Sequence, residues 1–178
     1  MPSAHDLAAD QHRAAKAHRL PARVLCLGND LLADDSLGSV VAERIKEFAP
    51  PEVEAVSTSE TGFHLLDYVL NASCLIVIDT VVTGAAAPGT IYVLKESDFR
   101  TAPGSSPHYI GLQETLALGR ALDLLVPETV VVLAVEAADC STLGGEMHPA
   151  VRAAIPLLLD KVREIIEPPR EPKTAGCV

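Results

Sequence analysis

Asp34 and Asp35 in Gly28-Asn29-Asp30-Leu31-Leu32-Ala33-Asp34-Asp35-Ser36-Leu37-Gly38, Asp79 closing the run Cys74-Leu75-Ile76-Val77-Ile78, and His108 in Ser105-Ser106-Pro107-His108 all stand where the chain leaves a stretch of apolar residues or a turn. Gathered at one edge of a fold, two carboxylates and an imidazole make an oxygen, oxygen, nitrogen site for a divalent metal. That donor set is poorer in nitrogen and sulfur than a structural zinc site. Its stand-alone affinity should therefore be modest, and the metal it meets should be one already held elsewhere.

Each residue also has an ordinary role to set beside the chemical one. Aspartate in a strand-to-helix connection is common as an N-cap or as a first-turn charge favoured by the helix dipole. For Asp34 and Asp35 taken singly the two roles weigh equally. As a pair they are expected to divide the work, one holding the turn and the other facing the cleft. Asp79 is harder to treat as structural, because a carboxylate at the end of a buried strand is costly unless paired, hydrogen-bonded or metal-bound. A lone histidine is more often a satisfied polar residue than a ligand, so position selects His108. His64 lies on a helical pattern and His148 at a helix start, where bonding to the backbone is the usual role.

The elements that must position these residues follow from periodicity. Arg23 to Leu27 is an apolar run before a Gly-Asn turn, and Leu37, Val40, Val41, Ile45 and Phe48 recur at helical spacing, giving a strand and an amphipathic helix. Val53 to Ser57, the helical pattern Phe63 to Leu70 and the apolar Cys74 to Ile78 extend this to βαβαβ, the last strand buried on both faces. Ala87-Pro88-Gly89 marks too short a link for a parallel crossover, so the strand Thr90 to Leu94 is predicted to run antiparallel. It then finishes at the bottom of the sheet, whereas the next helix must start at the top to feed the parallel strand Thr129 to Val135. The segment Glu96 to Pro107, at about 3.3 Å per extended residue, reaches roughly 40 Å and can cross a strand of roughly 20 Å. It is expected to carry His108 to the upper edge, where Asp34, Asp35 and Asp79 emerge and where open α/β sheets bind ligands. A closing helix from His148 to Glu167, with Pro149 at its first position and Pro156 expected to kink it, completes the fold. The result is a three-layer α/β/α sandwich on a five-stranded, mostly parallel mixed sheet. One domain, residues 23–167, is expected between a flexible extension, 1–22, and a proline-rich tail, 168–178.

A chain of 178 residues with 48% hydrophobic content can close one such core. A net charge of -10 without a basic cluster argues against nucleic acid, whose phosphates require grouped Lys and Arg. Cys26, Cys74, Cys140 and Cys177 share no CxxC spacing, and neither a signal-peptide pattern nor a run of about 18 apolar residues is present. These features point to a reducing cytoplasm and to no membrane association. The HExxH helix, the GxSxG elbow and any local Cys/His signature are missing, so zincins and serine hydrolases are disfavoured and the nucleophile is expected to be water. Gly28 and Gly38 suggest a nucleotide loop at first glance, but neither phosphate-loop spacing is met and the intervening acidic residues would repel phosphate.

Taken in order, Leu27-Gly28-Asn29, Asp34-Asp35 with Gly38, Thr61-Gly62 before Leu65-Leu66, Ile78-Asp79, Pro88-Gly89-Thr90, and Ser106-Pro107-His108 followed by Gly111-Leu112 resemble the hydrogenase maturation proteases. These are endopeptidases that trim the carboxyl terminus of the large subunit of nickel-iron hydrogenases. The resemblance covers roughly Arg23 to Ile166. It implies a twisted sheet between helices, with catalytic and metal-contacting residues at Asp35, Asp79 and His108. It also implies nickel supplied by the precursor substrate, and no organic cofactor. Asp35 stands where many members carry glutamate, one methylene longer. Ser59-Glu60-Thr61-Gly62 lacks the glycine that many relatives have before the threonine. For water activation, a carboxylate pair sharing a proton, as in aspartic proteases, stays open if Asp35 and Asp79 lie close together.

The leading expectation is thus a monomeric, cytoplasmic, aspartyl-type endopeptidase that removes the C-terminal extension of the precursor after nickel insertion. A chaperone that binds the nickel-loaded precursor without cutting it, and a nucleotide-binding α/β domain, are the alternatives from other classes. Because the donor set is sparse, the purified protein should hold substoichiometric metal. Elemental analysis returning a tightly bound equivalent of zinc would contradict this.

Overall fold

Ten residues, Ala72–Val81, form the central strand β3, a run of small, β-branched and aliphatic side chains interrupted only by Asp79. The computed structural model describes residues 19–99 and 107–167, the side chains of 107–110 excepted. The expected tail 168–178 and most of the expected extension 1–22 lie outside them. β1 (Leu20–Leu27) and β5 (Thr129–Glu136) flank β3 in parallel, and β2 (Val53–Thr58) adds to β1 on the far side. β4 (Ile91–Lys95) pairs antiparallel with β5, as the short connection requires, and the sheet order is β2-β1-β3-β5-β4.

Alternation along the strands sends side chains to two helical layers. On one face Val24, Cys26, Ile76 and Ile78 pack under α1 (Leu37–Lys46) and α4 (Pro149–Ile166). On the other, Leu25, Leu27, Leu75 and Val77 pack under the short α2 (Leu66–Val69) and α3 (Pro107–Ala121). The three-layer sandwich is therefore as expected. The differences are local. β1 begins at Leu20 rather than Arg23, because Leu20 already pairs with Ala72 of β3. β3 runs on through Asp79 to Val81, so this carboxylate sits within the strand rather than at its end. The pattern Phe63 to Leu70 splits into a 3₁₀ turn (Gly62–Leu65) and α2.

α3 starts at the upper edge of the sheet. Its Thr115 hydroxyl donates to the carbonyl of Gly62 (2.9 Å), which follows the carboxyl end of β2. Near its far end Arg120 makes a bidentate pair with Glu96 (2.6 and 2.8 Å), just past the lower end of β4. His108, the second residue of α3, thus belongs to the upper edge. Residues 100–106 of the climbing segment lie outside the described residues.

Gly38, near the start of α1, shows how tightly the first helix seats on β1. A Cβ there would strike the backbone carbonyl of Leu27. Gly38→Ala should accordingly destabilise the protein by about 2 kcal/mol despite alanine's better helix propensity, read from denaturant unfolding.

Candidate active site

The chain leaves β1 toward β2 on one side and returns to β3 on the other, so a crevice opens at the carboxyl ends of β1 and β3. In open α/β sheets this is the point where ligands bind. Asp34, Asp35 and Asp79 all lie there, and they have different tasks.

Asp34 is fully buried and acts as a structural tie. Its Oδ1 accepts from the His148 amide (2.6 Å), and its Oδ2 accepts from the amides of Ala138 and Asp139 (2.8 and 2.9 Å). One carboxylate therefore joins the 3₁₀ turn Asp34–Ser36, the loop after β5 and the start of α4. The pairing of Leu32 with Leu143 and the bond from the Ala33 amide to the Thr142 carbonyl (3.0 Å) add to the same seam.

Asp35, half-buried, faces the crevice. Its Oδ2 accepts from the Asn29 amide (2.8 Å) and its Oδ1 from the Thr80 hydroxyl (2.6 Å). Gly28 permits this approach: it holds φ +144°, and a Cβ would collide with the Asp35 carbonyl. The glycines of this loop therefore serve close packing and not phosphate binding. Asp79 is 1% exposed, and its Oδ1 accepts from the amide of Thr80 (2.9 Å). By strand alternation it shares the face of Val77 and Val81, the face that α3 covers, so it lies on the side where the helix bearing His108 begins. The His108 side chain is outside the described ones. Among the described residues no group of three His, Cys, Asp or Glu is placed to hold a metal. The two carboxylates supply hard oxygen donors and fit a weak, incomplete site.

Three neighbours were not singled out from the sequence. Thr80, 6% exposed, contacts both acids. The Cys140 thiol donates to the Thr80 hydroxyl (3.5 Å). Burial, with smaller contributions from the charges of Asp35, Asp34 and Asp79, pushes that thiol up to about 11 against the Thr80 hydrogen bond. Glu136, 1% exposed, accepts from the Thr83 amide and hydroxyl (2.8 and 2.6 Å), the Gly84 amide (2.9 Å) and the Tyr92 hydroxyl (3.0 Å). Burial works against its charge, but these donors outweigh it and hold its carboxyl below the usual range. His148 takes the structural role expected of it, its Nδ1 accepting from the Ala150 amide as the N-cap of α4 (3.2 Å). His64 is exposed on the 3₁₀ turn. Around the crevice, the loop after each parallel strand exposes a large apolar side chain: Leu31 (61%), Phe63 (60%), Val82 (61%) and Leu143 (74%).

A sequence model of the hydrogenase maturation proteases matches residues 39–165, a span that holds Asp79 and His108. The hydrogenase expression/formation protein HupM of Azotobacter chroococcum mcd 1 is 33% identical over 159 residues, which is 83% of this chain and 75% of that protein. The hydrogenase 2 maturation protease of Escherichia coli (strain K12) is 32% identical over 98 residues, 53% of this chain and 60% of its own length. Among solved structures, the hydrogenase maturating endopeptidase HybD from E. coli superposes with a TM-score of 0.69 at 28% identity, covering 82% of this chain and 91% of that one.

The division of labour between Asp34 and Asp35 can be checked by a change that keeps shape and removes charge. Asp34 takes N–H donors on both oxygens, so an amide NH₂ would face a donor whichever way it turned. Asp34→Asn should cost ~3 kcal/mol of stability. Asp35→Asn, whose Thr80 partner can rotate its hydroxyl to accept instead, should melt within a few degrees of the wild type. Parallel thermal melts decide it.

Proposed function

This chain belongs to the hydrogenase maturation protease family and is an endopeptidase of that kind, and we propose that it removes the carboxyl-terminal extension of a nickel-iron hydrogenase large-subunit precursor after nickel insertion. In this reading it works in the cytoplasm as a monomer and senses nickel that the precursor brings. The observation that carries the reading is the pairing of Asp35 and Asp79 through Thr80 at the β1/β3 crevice, on the edge where α3 begins with His108.

Asp35, Asp79 and His108 would contact the nickel of the substrate and so place the scissile peptide within reach of water. Nickel bound in the precursor would polarise a carbonyl or acidify that water. The residues of the chain orient: Asn29 and Thr80 hold Asp35, and the Thr80 amide holds Asp79. Both oxygens of Asp35 already accept hydrogen bonds, an arrangement that suits contact with a cation better than a proton shared between two acids. The apolar side chains exposed around the crevice suit a polypeptide substrate rather than a small polar one. No helix among the described residues is long and apolar enough to cross a membrane.

Purified protein incubated with nickel-loaded precursor should release the tail, seen as a mass loss, and nickel-free precursor should stay intact. Asp79→Asn and His108→Ala should each slow cutting by roughly 100-fold or more. If both variants cut as fast as the wild type, the site lies elsewhere. A stable complex with a precursor that is never cut would favour the chaperone alternative.

A further inference from the structure

We propose that Thr80 is a positioning residue whose hydroxyl fixes the mutual orientation of Asp35 and Asp79 and thereby sets the rate of cutting. The inference rests on the assignment of those two acids made above.

The acids reach the crevice from opposite sides of the sheet. Asp35 comes from the turn that leads into α1, and Asp79 from the face beneath α3. Thr80 bonds to both, with its hydroxyl on Asp35 (2.6 Å) and its amide on Asp79 (2.9 Å). It can do so because it lies within β3, where its backbone is held in register with Val135 of β5. The Asp79 carboxylate folds back onto the next amide, while the Thr80 side chain points to the other face and meets Asp35.

The direction of the hydrogen bonds is determined as well. A hydroxyl carries one proton, and an ionised carboxylate can only accept, so the Thr80 proton goes to Asp35. The oxygen of Thr80 is then left as an acceptor, and the Cys140 thiol donates to it (3.5 Å). The order Cys140 to Thr80 to Asp35 ties the loop after β5 to the acid at the crevice. With Thr80 at 6% exposure, bulk water is poorly placed to replace the hydroxyl. Without that hydroxyl, Asp35 keeps only the Asn29 amide and can rotate about its own side-chain bonds. A displacement of about 1 Å at a reacting centre can cost a hundredfold in rate.

Thr80→Val keeps the shape and deletes the donor, and Thr80→Ser keeps the donor and deletes a methyl. With nickel-loaded precursor, the valine variant should lose roughly 30-fold in kcat with KM within about twofold, and the serine variant should stay within about threefold of the wild type. Melting curves establish that each variant is folded. Should the valine variant fail to fold, Thr80→Ala against Thr80→Ser makes the same comparison. A folded valine variant that cuts at the wild-type rate, or a serine variant as slow as the valine one, overturns the inference. If the Asp79→Asn and His108→Ala variants are inactive while Thr80→Val is not, only the role of Thr80 fails. If the wild type does not cut, or those two variants cut normally, the reading of the site fails and the role of Thr80 fails with it.

Discussion

Buried carboxylates must be supplied with donors, and at this sheet edge that demand shapes the loops. Asp34 takes three backbone amides, Asp35 an amide and a hydroxyl, Asp79 an amide, and Glu136 two amides and two hydroxyls. A carboxylate in a poorly hydrated setting costs several kcal/mol if left unpaired, so each of these bonds restricts where its loop can run. Asp34 pins the segment after β1 to the segment after β5, 104 residues away, and Glu136 pins the segment after β3 beside β4. The crevice between β1 and β3 is thereby walled by loops whose positions are set by charge.

Asp79 and Glu136 make an instructive pair. Each follows an apolar strand run, Cys74 to Ile78 in one case and Val130 to Val135 in the other, and each is almost fully buried. The sequence signal is the same, and only Asp79 was picked out by it. Their surroundings separate them. Glu136 is next to the antiparallel edge and is engaged by Thr83, Gly84 and Tyr92 within its own corner of the fold. Asp79 is on the central strand at the point where the chain reverses its order of winding, linked through Thr80 to a second carboxylate from the turn after β1. A carboxylate after a buried strand is therefore a strong sign of built-in hydrogen bonding, and the topology decides which one can meet a ligand.

Much of the fold was legible because it rests on local periodicity. The apolar runs, the proline and glycine punctuation and the short link into β4 suffice for the layers and for the antiparallel strand. The placement of α3 at the upper edge followed from chain length and strand direction alone. The split between Asp34 and Asp35 was not legible beyond its existence, because adjacent acids in a 3₁₀ turn exchange roles with a small rotation, and the amides that select Asp34 come from the far end of the chain. Thr80 was hidden for a different reason: threonine in a strand reads as an ordinary β-former, and its hydroxyl finds its acceptor only when the turn after β1 brings Asp35 against it. The residues at the strand ends, Leu20 and Val81, were missed because pairing across the sheet, not their own pattern, extends the strands.

Under the proposed function the sparse donor set is a requirement and not a shortfall. A site that held free nickel tightly would be filled before any precursor arrived, and a filled site would no longer distinguish a finished substrate from an unfinished one. Discrimination needs the metal contact to be small enough that the free ion does not stay, yet large enough to matter once the polypeptide supplies the rest of the binding. A contact worth about 4 kcal/mol satisfies both conditions: alone it corresponds to a dissociation constant of about 1 mM, and added to polypeptide contacts it gives roughly a thousandfold preference for the loaded precursor. Two oriented carboxylates with one imidazole are suited to a contact of that size, whereas a four-ligand cage would defeat the purpose. Orientation then carries the weight that ligand number does not, because a weak contact discriminates only if its geometry is fixed before the substrate binds.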